Sequence, residues 1–517
     1  MESFWNKDKT NKFEEIRENI EIDTCIIGGG LTGTSVGYKL SKSQRVAIVE
    51  RERICSHTSG CTTGKITSQH GLFYNYLINS KGKEFAKKYL EANEIALKNI
   101  EKIIEKENID CDFEKQDAYV FTESEDQIKK IETEYEAVQS IDEEKSELLK
   151  KVDLPLQNIR LAIKFKDQAQ FNPVKYVDGL VSNIIKNNGV IFEDSKAINI
   201  EKSGSKYVVY VNNNKITAKN VVIATRYPFI SMPGYYFLKM YQSTSFAVVA
   251  DVNEKLFEGM YINSEIPTLS FRTIKDGDKK LLLAVGYDYK TGTGGLTNGY
   301  KELEKVIRRM YPASQFLYRW SAEDCISLDK YPYIGEFSAL MSNVYVATGF
   351  NKWGITSSNI AAEIITDKIM NKENKYEKIF KARRMEPIKN IKEVGNMLKE
   401  STNGIVVSRL TLPEKPKCTH LGCELHFNNV DKIWECPCHG SKFTENGKVI
   451  ETPANKDLPK GRLPKVAKGT VLLAINCQEN RPLGNLGNRP FGNLGTSFVL
   501  LTFYLIHLKT IFYECSI

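Results

Sequence analysis

The chain has 517 residues, 41% of them hydrophobic, which is enough for roughly three domains with real cores. Its formal charge of +8 is the small difference between 72 basic and 64 acidic residues, and no basic stripe argues for a nucleic-acid partner. The opening segment, MESFWNKDKTNKFEEIREN, is highly charged with no apolar run, so no secretory leader is predicted; Cys25, Cys55, Cys61, Cys111, Cys325, Cys477 and Cys515 show no framework spacing, and a reducing, cytoplasmic setting is expected.

In chain order, DTCIIGGGLTGTSVGYKL reads as a strand over Thr24 to Ile27, a glycine turn and a helix, and RVAIVE reads as a second strand ending in an acid. Gly28, Gly30 and Gly33 fit G-x-G-x-x-G, and Glu50 follows by about 20 residues, the spacing of a dinucleotide-binding βαβ unit. In that unit Gly28 makes the turn, Gly30 lets backbone approach a pyrophosphate, Gly33 lets helix meet strand and Glu50 binds ribose hydroxyls; Leu31 and Thr32 open the helix beside the phosphates. The following stretch, RERICSHTSGCTTGKITSQHG, is rich in Ser, Thr and Gly, as suits a segment laid along a flavin, with Thr62, Thr63 and Lys65 as candidates; a plain surface loop is the alternative.

Residues 83–107 and 125–139 are amphipathic helices, and residues 171–204 form a helix returning to a strand at Ala197 to Ile200. NVVIATRYP is a buried strand running into a turn at Thr225 and Arg226. YQSTSFAVVADV, PTLSFRTI and KLLLAVGYDY alternate as strands of an antiparallel sheet. DCISLDKYPYIGEF, the strand NVYVATGF and then NKWGITSSNIAAEIITDKI place a glycine-rich turn at a helix N-terminus, where backbone donors face an electron-rich ring edge.

Together these segments, from about residue 20 to 372, resemble the D-amino-acid-oxidase-like family of FAD oxidoreductases, whose C-terminal flavin motif is matched by Asp329, Pro332, Gly335, Gly349, Gly354 and Thr356. NVVIATRYP is similar to the element that closes the family's FAD domain, with Arg226 replacing the usual Gly or His. The resemblance implies FAD, with Ala197 near the adenine and Thr225, Gly349, Gly354, Ile355 and Thr356 along the cofactor. It also implies a sheet roofing the isoalloxazine, which makes Arg272, Tyr287 and Trp353 candidates to line a substrate pocket, Arg272 as a bidentate carboxylate binder. His70 is expected to be a packing residue.

Beyond residue 399 one convincing strand, Gly404 to Leu410, precedes CTHLGCELHFNNVDKIWECPCHGSKF. There Cys418 and His420 form C-x-H, and Cys436 and His439 form C-x-x-H, two thiolates and two imidazoles on two short loops. Tetrahedral zinc accepts that donor set, but each loop carries one of each type, which suits a [2Fe-2S] cluster with two His on one iron. His426 has no partner at ligand spacing and is read as surface or packing.

Both loops closely resemble the Rieske family of the cytochrome bc-type complexes, and the resemblance implies Cys418 and Cys436 on one iron, His420 and His439 on the other, and a disulfide between Cys423 and Cys438. The approach to the first loop is short for such a module, so part of its base sheet is expected to be missing. The tail repeats PLGNLGNRPFGNLG-like sequence and ends in an apolar run, Phe498 to Leu508, shorter than a bilayer span; it is expected to have no role, with membrane contact a lesser alternative.

The expected fold is α/β: a Rossmann-like FAD-binding domain with an inserted antiparallel-sheet substrate domain, plus a small all-β Rieske domain. The expected boundaries are 20–375 for the oxidoreductase (FAD-binding segments 20–80, 170–230 and 325–372; substrate domain 81–169 and 231–324), 376–400 for a helical linker, 401–478 for the Rieske domain and 479–517 for the tail. The expected activity is oxidation of an amine, amino acid or related small molecule, with electrons leaving through the cluster to a one-electron acceptor protein. The alternatives are a flavin reductase fed by the cluster and a non-catalytic electron-transfer module.

Overall fold

The structure is a computed structural model, and it describes residues 3–9, 11–230, 232–293, 298–384 and 416–459. The expected strand Gly404 to Leu410, most of the linker and the apolar tail lie outside the described residues.

The first sheet is built on five parallel strands in the order Val344–Thr348, Asn214–Ile223, Ile20–Ile27, Val46–Val49 and Val190–Phe192. Their residues are apolar almost without interruption, because helices cover the sheet: Leu31–Leu40, Pro173–Lys186 and Gly354–Ile369 pack against it. Helix Pro173–Lys186 starts cleanly, with proline in its first turn and the Asn172 side chain accepting from the amides of Val174 and Lys175. Strands Lys206–Val211 and Ala197–Ser203 extend this sheet antiparallel from the first half of Asn214–Ile223.

The second sheet has nine strands and roofs one end of the first domain. Its path runs Gln315–Ser327, Met240–Asp251, Lys279–Lys290, Leu269–Asp276, Met260–Asn263, Glu114–Thr122, Leu161–Gln170 and Lys65–Ile66. It is antiparallel except where Met260–Asn263 runs parallel to Glu114–Thr122. Helix Gly299–Met310 covers its outer face through Tyr300, Leu303 and Ile307. The N-terminal turn Phe4–Asp8 is tucked in here, with Trp5 donating from Nε1 to the Thr62 carbonyl at 2.8 Å.

The third sheet is a four-stranded antiparallel meander, His426–Asn428, Ile433–Glu435, Lys442–Thr444 and Val449–Glu451, belonging to the same compact unit as the other two. No helix among the described residues is long and apolar enough to cross a membrane.

Candidate cofactor and cluster sites

Gly28, Gly30 and Gly33 form a cradle that side chains would fill. A Cβ on Gly33 would stand 1.9 Å from the Gly28 carbonyl oxygen, and one on Gly30 would stand 2.7 Å from Ser59 Oγ. Gly28 has φ +108°, where a Cβ would meet the Ala224 carbonyl oxygen at 2.6 Å. Glu50 ends its strand here, with one carboxylate oxygen accepting from the Gly29 amide at 2.8 Å. Gly28, Gly30 and Glu50, with Ala197 and Thr225, line a cavity of about 120 Å³ at the carboxyl ends of the parallel strands, the usual place for a nucleotide in such a sheet. Leu31 donates its amide to Ser59 Oγ at 3.0 Å, and Thr32 bonds Ser358 at 2.8 Å, joining the first helix to Gly354–Ile369.

A second cavity, of about 310 Å³, lies under the second sheet. Thr62, Thr63 and Lys65 line it from one side and Asn351, Lys352 and Trp353 from the other, at the N-terminus of helix Gly354–Ile369. Trp353 stacks on His70, ring centroids 4.7 Å apart; His70 is itself fixed by Tyr89 Oη at 2.8 Å and kept neutral by burial, which lowers its pKa to about 3. Gly349, in the turn before this helix, has φ +68°, and Thr356 Oγ1 reaches His70 Nε2 at 3.5 Å. Gly354 opens the helix and Ile355 is buried in it.

Charge in this cavity is concentrated. Lys352 pairs with Asp288 at 2.9 Å, and burial raises the carboxyl of the neighbouring Asp324. Lys65 donates to the Tyr261 carbonyl at 2.8 Å and to Ser270 Oγ at 2.6 Å, pairs with no carboxylate among the described residues, and is held well below the usual lysine range by burial.

Arg272 and Tyr287 are not brought into this cavity. Arg272 is buried farther along its strand, donating to the carbonyls of Thr273 and Phe171 at 3.0 and 3.4 Å and lying over Trp5, and it is not part of the cavity lining. Tyr287 follows a register shift between Thr244 and Phe246, opposite which Gly286 and Tyr289 enclose one extra residue. Tyr287 takes φ +53° there and packs against the outer apolar cluster near helix Gly299–Met310, while Asp288 takes the cavity position. A bulge of this kind inverts the in-out alternation of the strand beyond it, so a residue placed in the roof by family resemblance faces the other way.

The Cys-His loops have one geometry. In the first, the Cys418 amide bonds the Cys423 carbonyl at 2.8 Å and the Gly422 amide returns to the Cys418 carbonyl at 2.9 Å. In the second, the Cys436 amide bonds the Ser441 carbonyl at 2.8 Å and the Gly440 amide the Cys436 carbonyl at 2.9 Å. Gly422 and Gly440 both take positive φ, +84° and +77°, to close these turns. Cys423 and Cys438 form a disulfide between the loops. Their sulfurs lie within 4.8 Å of Cys436 Sγ but are occupied by that bond, which leaves Cys418 and Cys436 as the thiols available to a metal. The neighbouring Cys436 thiol holds Cys418 below the usual thiol range, while Cys418 and burial push Cys436 well above it.

The rings of His420 and His439 meet edge to face at 5.1 Å, and His439 Nδ1 is buried with no hydrogen-bond partner. Burial keeps both imidazoles neutral, the form that ligates metal. Two thiols and two imidazoles, one orphaned, fit an iron-sulfur cluster. His426 sits half-buried on its strand, paired with Glu435 across the sheet.

The second sheet is the wall between these sites. On strand Gln315–Ser327, Asp324 lines the large cavity while its neighbour Glu323 pairs with Lys442 of the third sheet at 2.5 Å. On Lys279–Lys290, Asp288 faces the cavity while Tyr289 donates to Glu435 at 2.9 Å. Successive residues of a strand point to opposite faces, so a single sheet presents one face to the cavity and the other to the cluster domain.

Comparison with known proteins gives the family. The family described as FAD dependent oxidoreductase (DAO) matches residues 23–368, and the Rieske [2Fe-2S] domain matches residues 414–464. The chain is 32% identical to the Rieske 2Fe-2S iron-sulfur protein YhfW of Bacillus subtilis (strain 168), over 88% of this chain and 97% of that protein. It is 21% identical to gamma-glutamylputrescine oxidoreductase of Escherichia coli (strain K12), over 71% and 87% of the respective chains. Among solved structures, glycine oxidase from Geobacillus kaustophilus superposes with a TM-score of 0.60 at 18% identity, covering 71% of this chain and 100% of that one. L-proline dehydrogenase from P. horikoshii superposes with a TM-score of 0.59 at 16% identity, covering 71% and 98%. The glycine cradle, the roofed cavity and the paired Cys-His loops therefore belong to one protein: the chain is a member of the DAO family of FAD dependent oxidoreductases, with a C-terminal Rieske domain that binds a [2Fe-2S] cluster.

Proposed function

We propose that the chain oxidises a small amine or amino acid in the cavity under the second sheet and passes the electrons through its own cluster to an external one-electron acceptor. The observation that carries this reading is the shared wall: Asp324 and Glu323, adjacent on one strand, face the cavity and the Rieske domain. Bound FAD supplies a two-electron acceptor for a C–H bond next to nitrogen, and the protein's task is to orient the donor and exclude water.

Gly28, Gly30, Gly33 and Glu50 hold the dinucleotide end, with Leu31, Thr32, Thr62, Thr63, Ala197, Thr225, Gly349, Gly354, Ile355 and Thr356 along it. In the substrate part, Lys65 offers a donor to a carboxylate, Asp288 and Asp324 offer acceptors to an ammonium group, and Met260, Ile262 and Val285 keep the remainder apolar. A cavity carrying both signs of charge at its wall suits a zwitterion or a substituted amine. Cys418 and Cys436 would ligate one iron and His420 and His439 the other, the division seen across Rieske clusters.

An anaerobic screen of amines, amino acids and hydroxy acids, read by loss of flavin absorbance and then by the paramagnetic signal of the reduced cluster, tests this. Flavin bleaching followed by the cluster signal is expected with at least one amine or amino acid. No bleaching across the panel, or a cluster signal preceding flavin reduction, overturns the reading.

A further inference from the structure

The dinucleotide cavity is not closed by the oxidoreductase domain alone. Glu451, Thr452 and Asn455, from the last strand of the third sheet and the loop after it, form part of its wall. Glu451 is the centre of that contact: its residue surface is 5% exposed, and its carboxylate receives Arg226 Nη2 at 2.6 Å, Arg51 Nη2 at 3.1 Å and His57 Nδ1 at 3.1 Å.

The three partners come from separate places in the chain. Arg51 follows the second parallel strand, His57 precedes the turn Thr58–Cys61, and Arg226 follows Asn214–Ile223. All three line the cavity. Arg226 has φ +63° and also donates to the Glu323 carbonyl at 3.1 Å, so its guanidinium ties the cavity wall to both domains. A second contact lies alongside, where Lys196 donates to the Asn455 carbonyl at 2.9 Å, next to Ala197.

A carboxylate is taken this far from water only when several charged donors face it, and removing it leaves those donors buried without their anion. Glu451 therefore fixes cationic side chains at the edge of a cavity whose ligand carries two phosphates, and the backbone around it stands across the cavity's side. We propose that the Rieske domain is a structural part of the FAD site: docked through Glu451, it closes the dinucleotide cavity, so that FAD leaves only after the Glu451 contacts open. Loading of FAD and docking of the Rieske domain are thereby coupled, and by linkage each stabilises the other. Glu451 is a positioning residue in this scheme, acting through Arg51, His57 and Arg226. The inference rests on FAD binding and not on the identity of the substrate.

The test compares FAD release from the full-length holoprotein with release from Glu451→Gln and Glu451→Ala, following the rise in flavin fluorescence after dilution. Iron content and the reduced-cluster spectrum are measured on the same samples. With the cluster intact, release is expected to accelerate on the order of tenfold or more in Glu451→Ala, as for other buried pairs that lose one partner, and by less in Glu451→Gln. Release unchanged in both variants overturns the proposal, and so does slower release, which would make Glu451 a competitor of FAD. If Glu451→Ala does not hold its cluster, the isosteric Glu451→Gln decides by the same criterion, since it keeps the packing and removes only the charge.

Discussion

Gln242 donates from Nε2 to the carbonyl oxygen of His439 at 2.6 Å, so a central strand of the large sheet is bonded directly to a cluster loop. The same amide donates to the Thr452 carbonyl at 2.8 Å, and Gly440 packs so closely that a Cβ there would stand 2.6 Å from Gln242 Cβ.

Gln242→Met keeps the volume and removes both bonds. Each buried carbonyl left unpaired costs about 1–3 kcal/mol, so docking should weaken by that order. Stopped-flow traces should show substrate reducing the flavin at the wild-type rate while the cluster signal develops more slowly. An equal slowing of both phases would show that Gln242 acts on the cavity and not on the docking.

Cys436→Ser removes one of the two thiols of the Cys-His loops that are not held in the disulfide. Flavin reduction by substrate in a single turnover should persist, because the cavity lies on the other face of the sheet. Steady-state reduction of a one-electron acceptor should fall sharply, roughly a hundredfold or more if the cluster is the obligatory one-electron exit. Retained acceptor reduction with iron absent would show a route that bypasses the cluster.

Gly30→Val places a branched side chain where a single Cβ already stands 2.7 Å from Ser59 Oγ, facing the dinucleotide cavity. The purified variant should lack the flavin spectrum while its iron content stays near that of the wild type. Stoichiometric flavin in this variant would place the dinucleotide elsewhere.

His57 gives the protein a pH dependence. Burial lowers its pKa, but the carboxylates of Glu451 and Glu52 outweigh burial and the opposing charge of Arg51, raising it from 6.5 to about 9. A pKa raised in the folded state contributes stability that is fully present below pH 6.5 and is lost as pH rises through about 9. The difference in melting temperature between wild type and His57→Gln should therefore be largest at the acid end of that window and shrink toward its alkaline end. A difference that grows with pH would mean that His57 is neutral in the folded protein.

Lys65→Met tests the substrate part of the cavity. The ammonium is buried against a carbonyl and a hydroxyl with its pKa pulled down, so an apolar replacement should leave the melting temperature unchanged or raise it. For a carboxylate-bearing substrate kcat/KM should fall about 10- to 100-fold, the loss of one charge-assisted hydrogen bond, and a simple amine should be affected far less. Equal losses for both substrate types would remove Lys65 from carboxylate binding.

The glycine motif with Glu50 and the two Cys-His loops were legible in the sequence because each is a contiguous chemical pattern whose backbone demands are local. Gly28, Gly422 and Gly440 need positive φ, and the close approach at Gly33 admits no side chain, whatever the rest of the chain does. The parallel core was legible for a similar reason, since strands covered on both faces are continuously apolar. Which side chains of the roofing sheet face the cavity was not legible. One extra residue opposite Thr244 and Phe246 turns Tyr287 outward and Asp288 inward, and alternation read from sequence carries no sign of it. Arg226 stood out in its motif, but its partner did not, because 225 residues separate it from Glu451. That pair exists because the last strand of the third sheet ends at the edge of the dinucleotide cavity, where the turn after Asn214–Ile223 also ends. Local sequence determined what each site is made of, and tertiary packing decided which sites share a wall.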